Sequence, residues 1–405
     1  MNGSLASFAN ASSGDPVAGQ PDADSQRLAA IRVDRACIEL RRGRLLALNA
    51  NTLPGTAITA GEGRSTTRPA WLVVAAVETL SEATLRSLMS AGAAPQLLLS
   101  AERWQALGWP DASTPRTLAL QGPVTLAQLQ QLAAVTPDPS DPSRLEVANV
   151  ATSATPTVHH AALALCKLAR LLPALVVVPC AVEQRALLDA DQALHLDPAD
   201  VAQAAPKRAG ALRRVSDAKV PLEAHEDCTL VLFREIDGDD EHVAIIVGRP
   251  VAGEPVPVRL HSACLTGDLL GSLRCDCGPQ LQRAVKRLAE TGGVLLYLAQ
   301  EGRGTGLANK LRAYRLQDVG LDTLQADRHL GFRDDERDFQ AAAAMLHALG
   351  YPRIRLLTNN PHKIEALRHA GIEVVDRLPL HTPVNDHNAR YMRTKQLAGH
   401  LRADD

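Results

Sequence analysis

Between Arg259 and Cys277 the chain reads RLHSACLTGDLLGSLRCDC. Three of its seven cysteines, Cys264, Cys275 and Cys277, fall here in the spacing C-x10-C-x-C. Thiolates are soft ligands, and zinc accepts three of them while keeping a fourth tetrahedral position for water. Structural zinc sites close with four protein ligands, so a three-cysteine set points to a catalytic metal. His261 offers a fourth ligand, which would make the site structural, and plain buried cysteines acting as small hydrophobes are the bland alternative. The preceding PVPVRLHS reads as a strand that delivers the chain into Cys264. After Cys277, PQLQRAVKRLAE reads as a helix.

Outward from this stretch, strands and helices alternate. CTLVLFREI and HVAIIVGR are strand-like runs separated by the acidic turn DGDDE, and GVLLYLA, RIRLLT and their following helices continue the pattern. Such alternation indicates an α/β domain. Upstream, WLVVAAVE (Trp71 to Glu78) and PQLLLS (Pro95 to Ser100) are further strand candidates, each followed by a helix, which makes a second α/β domain with a parallel or mixed sheet. Residues 1–26 lack apolar periodicity and read as a disordered tail. Residues 136–157 are rich in Pro, Ser and Thr and read as a linker. HHAALALCKLARLL, from His159, is helical in period; the adjacent His159 and His160 diverge on a helix and suit capping or surface roles. A basic, polar stretch near Ala209 to Val220 marks the boundary, giving domains over 27–208 and 221–405.

At 405 residues the chain has room for two or three domains. Net charge −2 excludes a generic nucleic-acid or membrane-surface binder. An odd cysteine count with three in one cluster argues for a reducing compartment, no apolar run is long enough to span a bilayer, and no secretory signal opens the chain. A cytoplasmic protein is expected.

Two loops look built for anions. QEGRGTG (Gln300 to Gly306) follows a strand and opens a helix, so its backbone N–H groups and Arg303 suit phosphate, although a plain tight turn fits equally. TNNPHK places Thr358 at a strand end, Asn360 as a helix cap and Lys363 in the first turn; a well-capped helix is the bland alternative. Two such sites at strand ends favour a triphosphate or nucleotide. Asp335 and Arg337 lie in RDDERD, a charge run that also suits a solvated helix start. Tyr314 has Lys310 one helical turn before it, and a cation there would lower the phenol pKa.

RLHSACLTGDLLGSLRCDCG, together with QEGRGTGL, NKLRAYRLQD, LGFRDDERDF and LLTNNPHK, resembles GTP cyclohydrolase II of riboflavin biosynthesis, from about Cys228 to Leu401. The resemblance implies an α/β homodimer that opens the imidazole ring of GTP, releases formate and pyrophosphate, and leaves 2,5-diamino-6-(5-phosphoribosylamino)pyrimidin-4(3H)-one. It implies one zinc per subunit on Cys264, Cys275 and Cys277, a metal-activated water attacking C8, magnesium on the triphosphate, and Tyr314 in proton traffic. It also implies attack by Arg337 on the α-phosphate with Asp335 as proton acceptor. A guanidinium pKa above about 12 makes stabilisation of departing pyrophosphate the easier role. By motif position, GTP is held by Arg259, Leu260, His261, Ser262, Ala263, Gln280, Glu301, Gly302, Arg303, Thr323, Thr358 and Lys363.

Three positions depart from the family pattern: Ala263 stands for a usual Glu, Asp327 for Asn and His362 for Lys. They open two alternatives, a ring-opening relative from pyrimidine breakdown and an inactive nucleotide-binding assembly protein; the retained cysteines, Tyr314, Asp335 and Arg337 weigh against the second. The first domain resembles the dihydroxybutanone-phosphate synthase half of bifunctional riboflavin-pathway proteins, mainly in ACIELRRGRLLAL. The counterpart of that family's magnesium-binding acidic loop, NANTLPGTAITAGEGRSTT, holds a single acid, Glu62, so that activity is expected to be absent.

Overall fold

The computed structural model describes residues 23–50, 71–90, 94–120, 122–136, 150–152, 156–180, 193–236, 238–251 and 253–397. They form two seven-stranded sheets, each covered by helices. The first sheet contains β1 (Leu46–Asn49), β2 (Trp71–Ala76), β3 (Gln96–Leu99), β4 (Arg116–Ala119), β5 (Val150–Thr152), β6 (Ala174–Cys180) and β7 (Leu194–Leu196), in the order β5-β4-β3-β6-β2-β1-β7. It is mixed, as expected, but only β1 and β7 run parallel. The unbroken apolar runs of β2 and β6 have a physical reason. One face packs on α1 (Ala23–Arg41), α5 (Pro156–Leu168) and α6 (Pro198–Gly210), and the other on α2 (Glu82–Ser90), α3 (Ala101–Ala106) and α4 (Leu126–Leu132).

The second sheet contains β8 (Leu212–Lys219), β9 (Cys228–Glu235), β10 (Glu241–Val247), β11 (Val256–Ser262), β12 (Gly293–Leu298), β13 (Arg353–Leu357) and β14 (Glu373–Leu378), in the order β14-β13-β11-β12-β10-β9-β8. Strands β14, β13, β11 and β12 are parallel and the remainder antiparallel. Its helices are α7 (Cys277–Thr291), α8 (Leu307–Asp318), α9 (Thr323–His329), α10 (Gln340–Leu349), α11 (Pro361–His369) and α12 (Ala389–Leu397). The register pairs His261 with Tyr297 and Ser262 with Leu298, so β11 and β12 end side by side, with β13 ending at Leu357 beside them. Carboxyl ends of parallel strands are where open sheets gather ligands.

Four expectations need correction. Ala23 to Gln26, assigned to the tail, already lie in α1; the rest of the tail falls outside the described residues. The expected linker contains β5 and ends in the first turn of α5, and its remaining residues are largely outside the description. The supposed boundary near Ala209 to Val220 contributes β8, an edge strand whose pairing with β9 replaces apolar patterning as the source of its order. His159 is buried rather than at the surface, and burial lowers its pKa to about 4; His160 is exposed. The acid-poor stretch around Glu62 lies outside the described residues.

The two domains share a joint. Ala134 and Leu172 of the first pack with Ala313, Leu316, Ala326, Leu330 and Phe332 of the second. Arg103 is buried across it, donating to the carbonyls of Leu132 and His329 at 2.7 Å each. Ser100 donates to the carbonyl of Gly331 at 2.8 Å, and Arg312 to Glu78 at 2.9 Å. No helix among the described residues is long and apolar enough to cross a membrane.

Candidate active site

Leaving β11, the chain turns through a single π-helical turn, Leu265–Leu269, and returns at Cys275 to start α7. This excursion brings the sulfurs of Cys264, Cys275 and Cys277 within 4.8 Å of one another, with Cys264 and Cys275 3.7 Å apart. Two glycines allow the approach. A Cβ on Gly267 would stand 2.8 Å from the Cys275 sulfur and 3.0 Å from that of Cys264, and one on Gly278 would meet the Gly267 carbonyl oxygen at 2.5 Å. Three converging soft donors around a side-chain-free cradle fit zinc.

His261 is turned away from a ligand role. Its Nε2 sits 3.0 Å from Asp268 Oδ1, and the ring stacks on Tyr297. Asp268 also accepts the Cys264 backbone N–H at 2.9 Å and the Tyr297 hydroxyl at 3.0 Å, fixing the entry to the cysteine loop. Burial lowers the His261 pKa against the opposing effect of Asp268.

Lys310, on α8, puts its ammonium 3.1 Å from the Cys264 sulfur, 2.8 Å from Glu301 Oε1 and 2.9 Å from Thr266 Oγ1. Hydrogen bonding from Cys275 and Cys277, then Lys310, holds the Cys264 thiol far below its ordinary pKa, while the same thiolate pushes Cys275 up. Burial opposes the charge of Lys310, but Glu301 and Cys264 outweigh it and raise its pKa. Tyr314 lies beneath Lys310, 5.8 Å from ammonium to ring centroid, and Arg274 covers it at 4.9 Å. Its phenol pKa is nevertheless raised, because burial outweighs the cation; the expected lowering is corrected.

A pocket opens beside the sulfurs, and thirteen of the fifteen expected substrate or catalytic residues line it, all but Leu260 and Asp335. On its floor Arg259 is buried, donating to Leu357 O at 2.9 Å and to Gln280 Oε1 at 2.5 Å, with Nε unpartnered. Lys363 is buried too, its ammonium 2.9 Å from Leu260 O. Leu260 itself packs into the core and offers only that carbonyl. Asn360 caps α11, accepting from His362 N at 2.9 Å, and Thr358 accepts from Asn360 N at 3.0 Å, as the TNNPHK pattern suggested. Ser262, Ala263, Gly302 and Thr323 complete the wall with His261 and Glu301. His362, by contrast, is well exposed.

The glycine loop is a short 3-10 turn, Glu301–Gly304, with Gly302 and Arg303 both left-handed at φ 61° and 58°. That conformation is uncommon for a side chain larger than Asn. Arg303 donates to Asp334 O at 3.0 Å and pairs with Asp327 at 2.9 Å. Asp327 is buried, and burial raises its pKa to about 7 despite Arg303. Arg337 is clamped bidentately by Asp335, at 2.8 and 2.5 Å, above the Phe339 ring. Burial pushes Asp335 up, but Arg337 overrides it and leaves the carboxyl below its ordinary pKa.

Sequence reasoning missed the Lys310 to Cys264 contact and the roles of Arg274, Asn359 and Thr394 as lining residues. The first spans 46 positions and has no local signal, whereas Asn359 sat inside a quoted motif.

The family model of GTP cyclohydrolase II matches residues 213–379. The chain is similar to a GTP cyclohydrolase-2 of Azospirillum brasilense, 44% identical over 384 residues, covering 91% of this chain and 93% of that one. A GTP cyclohydrolase-2 of Xylella fastidiosa (strain 9a5c) is 39% identical over 380 residues, covering 92% and 87%. A shorter GTP cyclohydrolase-2 of Cronobacter sakazakii is 52% identical over 192 residues, 47% of this chain and 97% of that one. Among solved structures, a two-domain 3,4-dihydroxy-2-butanone 4-phosphate synthase from A. baumannii covers 87% of this chain at 17% identity; its TM-score of 0.30 carries no argument.

Proposed function

Because the chain belongs to the GTP cyclohydrolase II family, we propose that it hydrolyses GTP in riboflavin biosynthesis, with loss of formate and pyrophosphate, to leave 2,5-diamino-6-(5-phosphoribosylamino)pyrimidin-4(3H)-one. The observation that carries this reading is the convergence of three sulfurs beside a cation-lined pocket at the ends of β11, β12 and β13. Cys264, Cys275 and Cys277 would hold zinc, which would supply Lewis acidity for activating water.

The chain's own groups do the rest. Arg259, Arg303 and Lys363 offer fixed positive charge to a triphosphate, and backbone N–H groups of the glycine loop add donors. Lys310 offsets the negative charge of the sulfur cluster. Tyr314 keeps its proton at neutral pH, so it acts as a hydrogen-bond donor and general acid at the purine ring. Arg337, paired bidentately with Asp335, stabilises the departing pyrophosphate rather than attacking the α-phosphate, because a protonated guanidinium has no available lone pair. Among the described residues no carboxylate cluster cages a hard cation, so magnesium would arrive on the triphosphate.

The catalytic domain is taken to begin with β8 at Leu212 rather than at 221. The first domain is read as a degenerate synthase-like unit without the synthase reaction; conversion of ribulose 5-phosphate by the purified chain with magnesium would overturn that. A homodimer in the cytoplasm completes the proposal. Incubation with GTP, magnesium and zinc should yield formate and pyrophosphate, and no product from uracil nucleotides. Turnover of a pyrimidine nucleotide alone, or binding without product, sinks the reading.

A further inference from the structure

One corner of the first domain stands against the two loops that carry Arg303, Asp335 and Arg337. Lys167, in the last turn of α5, places its ammonium 2.6 Å from Glu336 Oε1, and the Glu336 side chain is only 7% exposed. Glu336 separates Asp335 from Arg337 in the chain and takes no part in the chemistry above. Its carboxylate also accepts Arg333 N at 2.9 Å, Arg333 Nε at 3.0 Å and Arg333 Nη2 at 2.6 Å, so four bonds fix the middle of the loop.

That middle residue is in turn seated on the glycine loop. Glu336 N donates to Arg303 O at 3.3 Å, and a Cβ on Gly304 would stand 3.2 Å from the Glu336 carbonyl, so the two loops touch backbone to backbone. The same corner braces the glycine loop from below. Arg170, left-handed at φ 59°, gives its carbonyl to Asn309 Nδ2 at 3.1 Å, and its side chain fills the space a Cβ on Gly306 would need. Without Lys167 the carboxylate keeps, among the described residues, only Arg333, which lies in its own loop, and loses its ionic tie to the first domain, so Glu336 and its two chain neighbours are free to shift together.

We propose that Lys167 of the first domain is a positioning residue for GTP hydrolysis, acting through Glu336 to hold the Asp335–Arg337 pair in place against the glycine loop. This rests on the reading of Arg337 as the group that stabilises departing pyrophosphate. It gives the first domain a role that needs no reaction of its own.

The test uses the full chain and follows formate and pyrophosphate. Displacement of a catalytic group by about 1 Å costs on the order of 100-fold, so Lys167→Met should lower kcat by roughly 10- to 100-fold while KM changes little. Lys167→Arg, which keeps the charge, should restore most of the rate. Glu336→Asp shortens the carboxylate and breaks the contact without removing charge; it should reproduce the loss even where Lys167→Met folds poorly. Combining Lys167→Met with Glu336→Asp should cost no more than either alone. Wild-type kcat in Lys167→Met, no rescue by Arg, or multiplicative losses in the double variant would overturn the positioning role. Arg337→Ala separates the two readings: if it retains full pyrophosphate release, the assignment of Arg337 falls first. If it is inactive while Lys167→Met is unimpaired, only the present inference falls.

Discussion

The Lys310 ammonium lies 3.1 Å from the Cys264 sulfur, so the cluster of soft donors has a built-in counter-charge supplied by a different helix. Three thiolates and one zinc ion sum to a single negative charge, which Lys310 offsets in a site largely screened from water. Groups in this outer position tune metal affinity about 10- to 100-fold. Lys310→Met should therefore weaken zinc binding by about that factor, read by competition with a chromophoric chelator. Wild-type affinity in the variant would remove Lys310 from the metal's electrostatics.

Cys275→Ser should abolish formate release and leave the protein with substoichiometric zinc. Unchanged release with metal content intact would count against the zinc assignment. Chelation of the wild-type enzyme should lower its melting temperature, because a ligand at 100 times its Kd stabilises the folded state by about 2.7 kcal/mol. A melting curve indifferent to chelator would mean that the metal does not bind this fold.

Gly267→Ala tests the cradle independently of any sulfur. The added methyl would lie 2.8 Å from Cys275 Sγ and 3.0 Å from Cys264 Sγ, so the cluster must spread. Overpacking of this kind costs about 1–3 kcal/mol, and zinc per chain by elemental analysis should fall below one. Full zinc occupancy and activity would show that the loop relaxes freely.

Asp327 gives the enzyme a pH signature. Its folded pKa is raised to about 7, chiefly by burial, with Arg303 opposing and Asp334, Asp335 and Glu336 adding to the rise. The unfolded chain releases this proton near about pH 4. Between about pH 4 and 7 the folded state thus holds a proton that the unfolded state has lost, and stability declines as pH rises through that window. Asp327→Asn should lack this decline, so its melting temperature relative to wild type should climb across the range. Parallel curves for the two proteins would show that Asp327 titrates normally.

Much of the second domain was legible because its determinants are local. CTLVLFRE is a short β-rich apolar run, Asn360 and Pro361 announce a helix start, and C-x10-C-x-C marks the three sulfurs that converge. Strand β8 was not legible: seven of its eight positions are exposed, and its order comes from pairing with β9 rather than from an apolar period. Tyr314 was misjudged for a related reason. The spacing to Lys310 correctly put the cation by the ring, but burial, which decides the sign of the pKa shift, arises from elements distant in sequence. His159 likewise looked superficial beside His160, and tertiary packing buries only one of the two.

Helix α8 serves the site and the joint at once. Lys310 and Tyr314 face the cysteines, Ala313 borders the cleft, and Leu316 lies against residues of the other half. Evolutionary drift in the two halves is consequently tethered. A gene rearrangement supplying a different leading segment would leave Leu316 and Phe332 without their present apolar neighbours, Ala134 and Leu172.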